Sequence, residues 1–301
     1  MNSPSFRWVI YESPLGYLLG LEGLALLRAF TGEHDQGFTD ARIAEIRRLL
    51  DDPALAGVGV QVDRVGTVDG YRAWAPTYDQ PGNGAFALDE PEVVRILDPL
   101  PPGVALDAAC GTGRYSRLLA DRGHRVIGVD SSPDMLAHAG KRVPDGRFLT
   151  GDLHDLPVGA GEVDLVVCGL ALAHVSRLDP VFAEFARVLR PGGHVVIADM
   201  HPESVARGAN PTLRGADGRP GRMISTRHLI GDYLRAALAA GMQVRDCREV
   251  ARPAIPDGPA ATDPGPWDVW PWSLAAMVPE AARAASGDAP AIVVWHFQLA
   301  G

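Results

Sequence analysis

Asp107-Ala108-Ala109-Cys110-Gly111-Thr112-Gly113 ends a short apolar run, Val104 to Ala109, with two glycines one residue apart. A strand that stops in such a turn and leads into a helix, here Arg114 to Arg122, brings backbone close to a ligand. It also aims unpaired N–H groups at an anion. Taken alone the GxG turn is a weak signal, equally suited to NAD, another nucleotide or no ligand. Outward from it the rhythm repeats. Arg125 to Asp130 reads as a second strand ending in an acid, and Ser132-Pro133 opens a second helix, with proline at a favoured first-turn position. Arg147-Phe148-Leu149 is a third strand, Glu162 to Cys168 a fourth, followed by a helix over Pro180 to Leu189. Arg190-Pro191-Gly192-Gly193 reads as a stop and turn before a fifth strand, His194 to Ala198. Such alternation predicts a parallel sheet with helices on both faces.

The flanks differ. Residues 1–65 read as a mostly helical extension whose expected role is packing or dimerisation. Thr39 or Asp40 is the expected cap of a helix through Ile43, Ile46 and Leu49-Leu50, whose spacing makes one apolar face. After the fifth strand come a helix over Arg227 to Ala240, stopped by Gly241, and a sixth strand, Gln243 to Val250. Pro253 to Pro290 is rich in Pro, Ala and Trp, and a last strand spans Ile292 to Leu299. That strand follows no full crossover, so antiparallel pairing is expected, with the insert at about 251–290 as a cap over the strand ends.

The chain has 301 residues, 47% of them hydrophobic and 22% charged, enough for a substantial core without disulfides or metal. The net charge is −9, which argues against nucleic acid as main partner, since phosphate binding rests on clustered cations. Lys141 is the only lysine, so arginine supplies 27 of the 28 cationic side chains, a pattern read as coding bias. Cys110, Cys168 and Cys247 form no CxxC pair, and neither a disulfide framework nor a metal site is expected. Met1 to Ser5 carries no basic lead into an apolar run. Leu15 to Leu27 is too short to span a bilayer and is broken by Glu22. A cytoplasmic protein with no membrane partner is expected.

Acids placed after the strands narrow the ligand. Asp130 falls 17 residues after Gly113, where a carboxylate can accept from two ribose hydroxyls. The dinucleotide fingerprint wants a third glycine where this chain has Ser116, which weighs against a nicotinamide-dependent dehydrogenase. Gly151 to Pro157 follows the third strand, where a carboxylate can accept from an adenine amino group. With Asp164 to Gly169 and Leu189 to Gly193 added, the chain over roughly 70–301 closely resembles the class I S-adenosylmethionine-dependent methyltransferases, in particular a small-molecule group similar to ubiquinone-biosynthesis methyltransferases.

The resemblance implies an α/β fold: a Rossmann-like seven-stranded sheet, parallel except the last strand, with the helical extension (1–65) outside a methyltransferase domain (66–301). It implies S-adenosyl-L-methionine as cofactor. Asp107 and the Gly111–Gly113 backbone would hold its methionine end, and Asp130 the ribose, with Ser131 and Met135 lining that side. Asp152 and the Leu153 backbone would read the adenine, and Cys168 and Gly169 would flank the methionine end. Tyr71 to Asp79 resembles a tyrosine-bearing lid, in which Tyr71 and Tyr78 share a helical face or are simply two tyrosines on a surface helix; Pro76 restricts that helix.

A sulfonium methyl is already electrophilic, so the protein must chiefly align the reactants and exclude water. For an oxygen or nitrogen nucleophile a histidine base helps. His174 lies just past the fourth strand and His201 just past the fifth, at the end where α/β sites open, and either is a candidate base or substrate orienter. Loop residue His154 and mid-strand His296 are expected to be structural. Trp267, Trp270 and Trp272 suit either an apolar lid on the acceptor pocket or packing of the Pro-rich insert onto the sheet. The expected activity is methyl transfer to O, N or C of a small organic acceptor in specialised metabolism, with a homodimer left open. The alternatives are a same-fold enzyme performing a non-methylating reaction such as a cyclisation, and a non-catalytic cofactor-binding protein.

Overall fold

The computed structural model describes residues 9–76, 78–79, 84–215, 217–253, 255 and 258–301; Met1 to Ser5, Thr77 of the tyrosine-bearing stretch and three positions of the insert lie outside them. The chain forms two compact units. The first joins residues up to Val65 with Gly208–Met223 and Ala251–Ala289; the second holds Gly66–Arg207, Ile224–Val250 and Pro290–Gly301.

In the first unit, β1 (Val9–Glu12), α1 (Pro14–Phe30), α2 (Gln36–Leu50) and β2 (Val60–Val65) make up the N-terminal segment. It is mostly helical as expected, but β1 and β2 pair antiparallel in a four-stranded sheet not foreseen from the sequence. The cap of α2 is Asp35 instead of Thr39 or Asp40, because the Asp35 carboxylate accepts the Phe38 N–H at 2.9 Å while Thr39 is already helical. The expected apolar face is also incomplete. Leu49 is buried, but Leu50 and Ile43 are exposed, and Arg42 is buried in their stead with Glu22 as partner.

The second unit opens with α3 (Thr67–Trp74) and α4 (Phe86–Leu97), then β3 (Val104–Ala108), α5 (Arg114–Asp121), β4 (Arg125–Asp130), α6 (Pro133–Arg142), β5 (Arg147–Thr150) and β6 (Val163–Gly169). It continues through α7 (Asp179–Val188), β7 (Leu189–Met200) and α8 (Pro202–Ala206). The chain then contributes β8 (Thr212–Arg214) and β9 (Pro220–Met223) to the first unit's sheet, ordered β1-β2-β9-β8. It returns to the second unit with α9 (Ile230–Ala239) and β10 (Met242–Ala251). Helices α10 (Trp272–Met277) and α11 (Pro279–Ser286) belong to the first unit, and β11 (Pro290–Leu299) ends the second.

The second unit's sheet has seven strands in the order β10-β11-β7-β6-β3-β4-β5. The β3, β4, β5, β6 and β7 pairings are parallel, while β11 runs antiparallel to β7 as expected for the last strand. The chain builds outward on both sides of β3, which opens a crevice at the carboxyl ends of β3, β4 and β6. Val104 to Ala108 is buried throughout, as a strand covered on both faces must be. Arg190 to Gly193 does not stop the chain as expected. It lies inside β7 as an irregularity in the register with β6, where Val163 faces Leu189 but Leu165 faces His194, and Gly192 takes φ +79°.

The Trp-bearing insert supplies core to the first unit. Trp267 and Trp270 are buried with Leu18, Leu21, Leu274 and Met277, whereas Trp272 is 62% exposed. Two of the three tryptophans are thus packing residues, but of the first unit's own core. Among the described residues no helix is long and apolar enough to cross a membrane.

Candidate active site

Backbone shape sets the floor of the crevice. Gly111 (φ +54°) and Gly113 (φ +83°) are left-handed, and a Cβ on Gly113 would stand 3.0 Å from the Ala139 Cα, so only glycine lets α5 and α6 approach there. A Cβ on Gly111 would meet nothing within 4 Å, so the space over the turn is open. Ala109 and Leu170, just past β3 and β6, also have positive φ, 59° and 56°. Strain stored at two adjacent strand ends marks this crevice.

Carboxylates stand at or near the ends of β3, β4 and β5. Asp130 accepts the Gly111 N–H and the Ser132 N–H, each at 2.8 Å, which leaves lone pairs of both oxygens for further donors. Burial raises its pKa above the usual carboxylate range, against the opposing amides. Asp107 is buried within β3. Desolvation raises it to about 6, partly offset by Ser116, whose hydroxyl donates to it at 2.7 Å. Ser116, where a dinucleotide fold would carry glycine, thus holds Asp107 in place. Asp152 is 65% exposed and bonded to His154 Nδ1 at 2.6 Å, so it stands at the rim. Leu153 is buried in the core and offers only its backbone. Ser131 is exposed beside Asp130, and Met135 is buried in the first turn of α6. Cys168 is fully buried. Gly169 has no room for a side chain, because a Cβ there would fall 2.1 Å from the Tyr115 ring.

The aromatic wall comes from α3 and the turn after it. Tyr78 lies beyond the end of α3, so the two tyrosines do not share a helical face, yet their rings meet edge-on at 5.9 Å. Tyr71 also meets the His174 ring edge-on at 5.6 Å. Burial pushes the Tyr71 phenol well up, with the charges of Asp130 and Asp199 adding to it, and lifts Tyr78 to about 12; both stay neutral. A pin not read from the sequence fixes this wall to the glycine turn. Asp79 accepts from the Thr112 hydroxyl at 2.8 Å and from Arg142 at 2.7 Å.

The two candidate histidines part company here. His201 caps α8: its Nδ1 accepts the Glu203 N–H at 3.2 Å, so Nε2 bears the hydrogen and donates to Glu249 at 2.9 Å. Both ring nitrogens of His201 are thus engaged, one in capping α8 and the other on Glu249. His174, in the 3-10 turn Leu172–His174, donates from Nδ1 to the Ile224 carbonyl at 3.2 Å. A carbonyl can only accept, so the neutral ring keeps its lone pair on Nε2. Burial lowers the His174 pKa below the usual histidine value, with the Ile224 bond opposing, and the ring is neutral at pH 7. Asp199, at the end of β7, is a further buried acid that sequence reasoning missed. Desolvation raises it to about 6, and the Tyr233 hydroxyl donates to it at 2.8 Å. Its signal was an acid at the end of the fifth strand, the position Asp130 holds on the second.

S-adenosylmethionine presents donors along its length: an ammonium, two ribose hydroxyls and an adenine amino group. A glycine cradle rimmed by carboxylate acceptors complements that set. A family model for the methyltransferase domain matches residues 106–197. The chain is 30% identical over 226 residues to an uncharacterised methyltransferase of Emericella nidulans, covering 62% of this chain and 79% of that protein. Among solved structures it is similar to the complex between the Haloferax volcanii Trm112 methyltransferase activator and a methyltransferase, with TM-score 0.60, 27% identity, and 78% and 97% of the two chains covered. A Mesorhizobium loti S-adenosylmethionine-dependent methyltransferase shares the fold at 22% identity, with TM-score 0.51 and 71% and 99% covered. The chain belongs to the class I S-adenosylmethionine-dependent methyltransferases.

Proposed function

We propose that the enzyme methylates an oxygen, nitrogen or carbon nucleophile of a small organic acceptor, with His174 as the base. The observation that carries this reading is the ring state of His174: neutral, its Nδ1 hydrogen committed to Ile224, its Nε2 lone pair left at the carboxyl end of β6 beside Tyr71. In the same reading Asp107 accepts from the cofactor's ammonium, Asp130 from its ribose hydroxyls and Asp152 from the adenine amino group. Tyr71 and Tyr78 cover the site and exclude water. The bound cofactor supplies a sulfonium methyl, already electrophilic. Alignment and desolvation are then the protein's main tasks. His174 receives the proton that an oxygen or nitrogen acceptor sheds.

The test is a screen of small phenols, amines and carboxylic acids with S-adenosylmethionine carrying a trideuterated methyl group. A product heavier by one trideuterated methyl in place of a hydrogen supports the reading. A product of unchanged mass favours a non-methylating reaction on the same fold, and cofactor binding with no conversion of any acceptor favours a binding protein.

A further inference from the structure

Three successive residues of the turn that carries His174 are tied to one short strap, Ile224–His228, ahead of α9. The Thr226 N–H donates to the Ala173 carbonyl at 2.6 Å, His174 Nδ1 donates to the Ile224 carbonyl at 3.2 Å, and His228 Nε2 donates to the Val175 carbonyl at 2.9 Å. Of the three ties, only the last comes from a strap side chain. That side chain is buried, and it is backed by Tyr233, whose ring meets it edge-on at 6.0 Å. Tyr233 is anchored in turn by its hydroxyl on Asp199, which also accepts the Met200 N–H at 2.8 Å. His228 is thus held between the turn and the end of β7. A histidine base needs its ring aimed as well as neutral, because a small misplacement of a reacting group costs rate steeply. The His174–Ile224 bond and the Tyr71 contact aim the ring only as well as the turn that carries it is held.

We propose that His228 is a positioning residue for methyl transfer, clamping the turn through Val175 so that His174 Nε2 keeps its aim; this rests on the reading of His174 as the base. The experiment is ring-carbon NMR of histidine-labelled full-length enzyme saturated with S-adenosylhomocysteine, the His174 signal being identified by its loss in His174→Gln. His228→Ala is expected to shift and broaden the His174 signal with cofactor affinity unchanged. His228→Gln, whose amide can reach the same carbonyl, is expected to restore it. His228→Phe keeps a ring beside Tyr233 but removes the donor to Val175, and is expected to disturb the same signal, which keeps the test decisive if His228→Ala does not fold. An unmoved His174 signal in His228→Ala or His228→Phe, or no rescue by glutamine, overturns the proposal. The underlying reading fails separately: full turnover by His174→Gln on an acceptor from the screen removes the base, whatever the NMR shows.

Discussion

The carboxylate of Asp130 accepts the backbone N–H of Gly111 at 2.8 Å, so the acid that ends β4 fastens the glycine turn that follows β3. One side chain thereby sets the shape of the cradle and presents acceptors along its edge. Gly111→Ala tests the cradle. The left-handed backbone there strains any side chain, and the added methyl would project into the open space above the turn. Affinity for S-adenosylhomocysteine is expected to fall by about tenfold or more from the steric conflict, while the left-handed backbone separately costs roughly 1–2 kcal/mol of stability. Unchanged affinity by calorimetry would mean that the cofactor does not pass over this turn.

Asp107 predicts a pH dependence. Its folded-state pKa, raised by burial to about 6, lies above the unfolded value. The group therefore favours folding below the unfolded value, and that contribution is lost as pH rises through about 6. An ammonium ligand needs the ionised form. Cofactor affinity is therefore expected to be flat above about pH 7 and to fall roughly tenfold per unit below about pH 6. Asp107→Asn is expected to bind weakly with that dependence abolished. Wild-type affinity that stays constant down to about pH 5 would remove the ammonium assignment.

The two histidines predict opposite phenotypes. His174→Gln is expected to lower turnover by about 10²-fold with cofactor affinity intact, the usual scale of general-base removal. Turnover of the wild type should persist below the usual histidine range, because burial lowers the His174 pKa. His201→Ala removes an N-cap and should cost about 1 kcal/mol of stability at unchanged turnover. A slow but fully stable His201→Ala would reverse the assignment.

Ala109 predicts a gain. Its φ of 59° costs an L-residue about 1–2 kcal/mol, of which the extra unfolded-state freedom of glycine returns roughly half. Ala109→Gly is expected to raise Tm by about 2 °C. A fall in Tm would show that the packing of this methyl against the core outweighs the strain.

The β/α rhythm around the glycine turn was legible because each part is local: apolar runs of strand length, glycine punctuation, acids at strand ends. The first unit's sheet was not. Its strands β8 and β9 are three and four residues long, and β2 pairs with β9 across the whole sheet-forming stretch between them, Asp63 opposite Gly221. No local pattern encodes such a partner. The insert's tryptophans suited a lid or packing onto the sheet alike, because indole rings suit any apolar surface, and Trp267 and Trp270 are spent on the first unit's core. His174 and His201 stood alike in the sequence, each just past a strand. Their difference lies in ring-nitrogen partners up to 50 residues away, Ile224 for one and Glu249 for the other.

The most direct test of the account is calorimetric titration of S-adenosylhomocysteine into the wild type and Asp130→Ala, with NAD as the control ligand. The account predicts binding of S-adenosylhomocysteine and not NAD by the wild type, and severe weakening in a folded Asp130→Ala protein. Binding of NAD alone, or full affinity in Asp130→Ala, would contradict it.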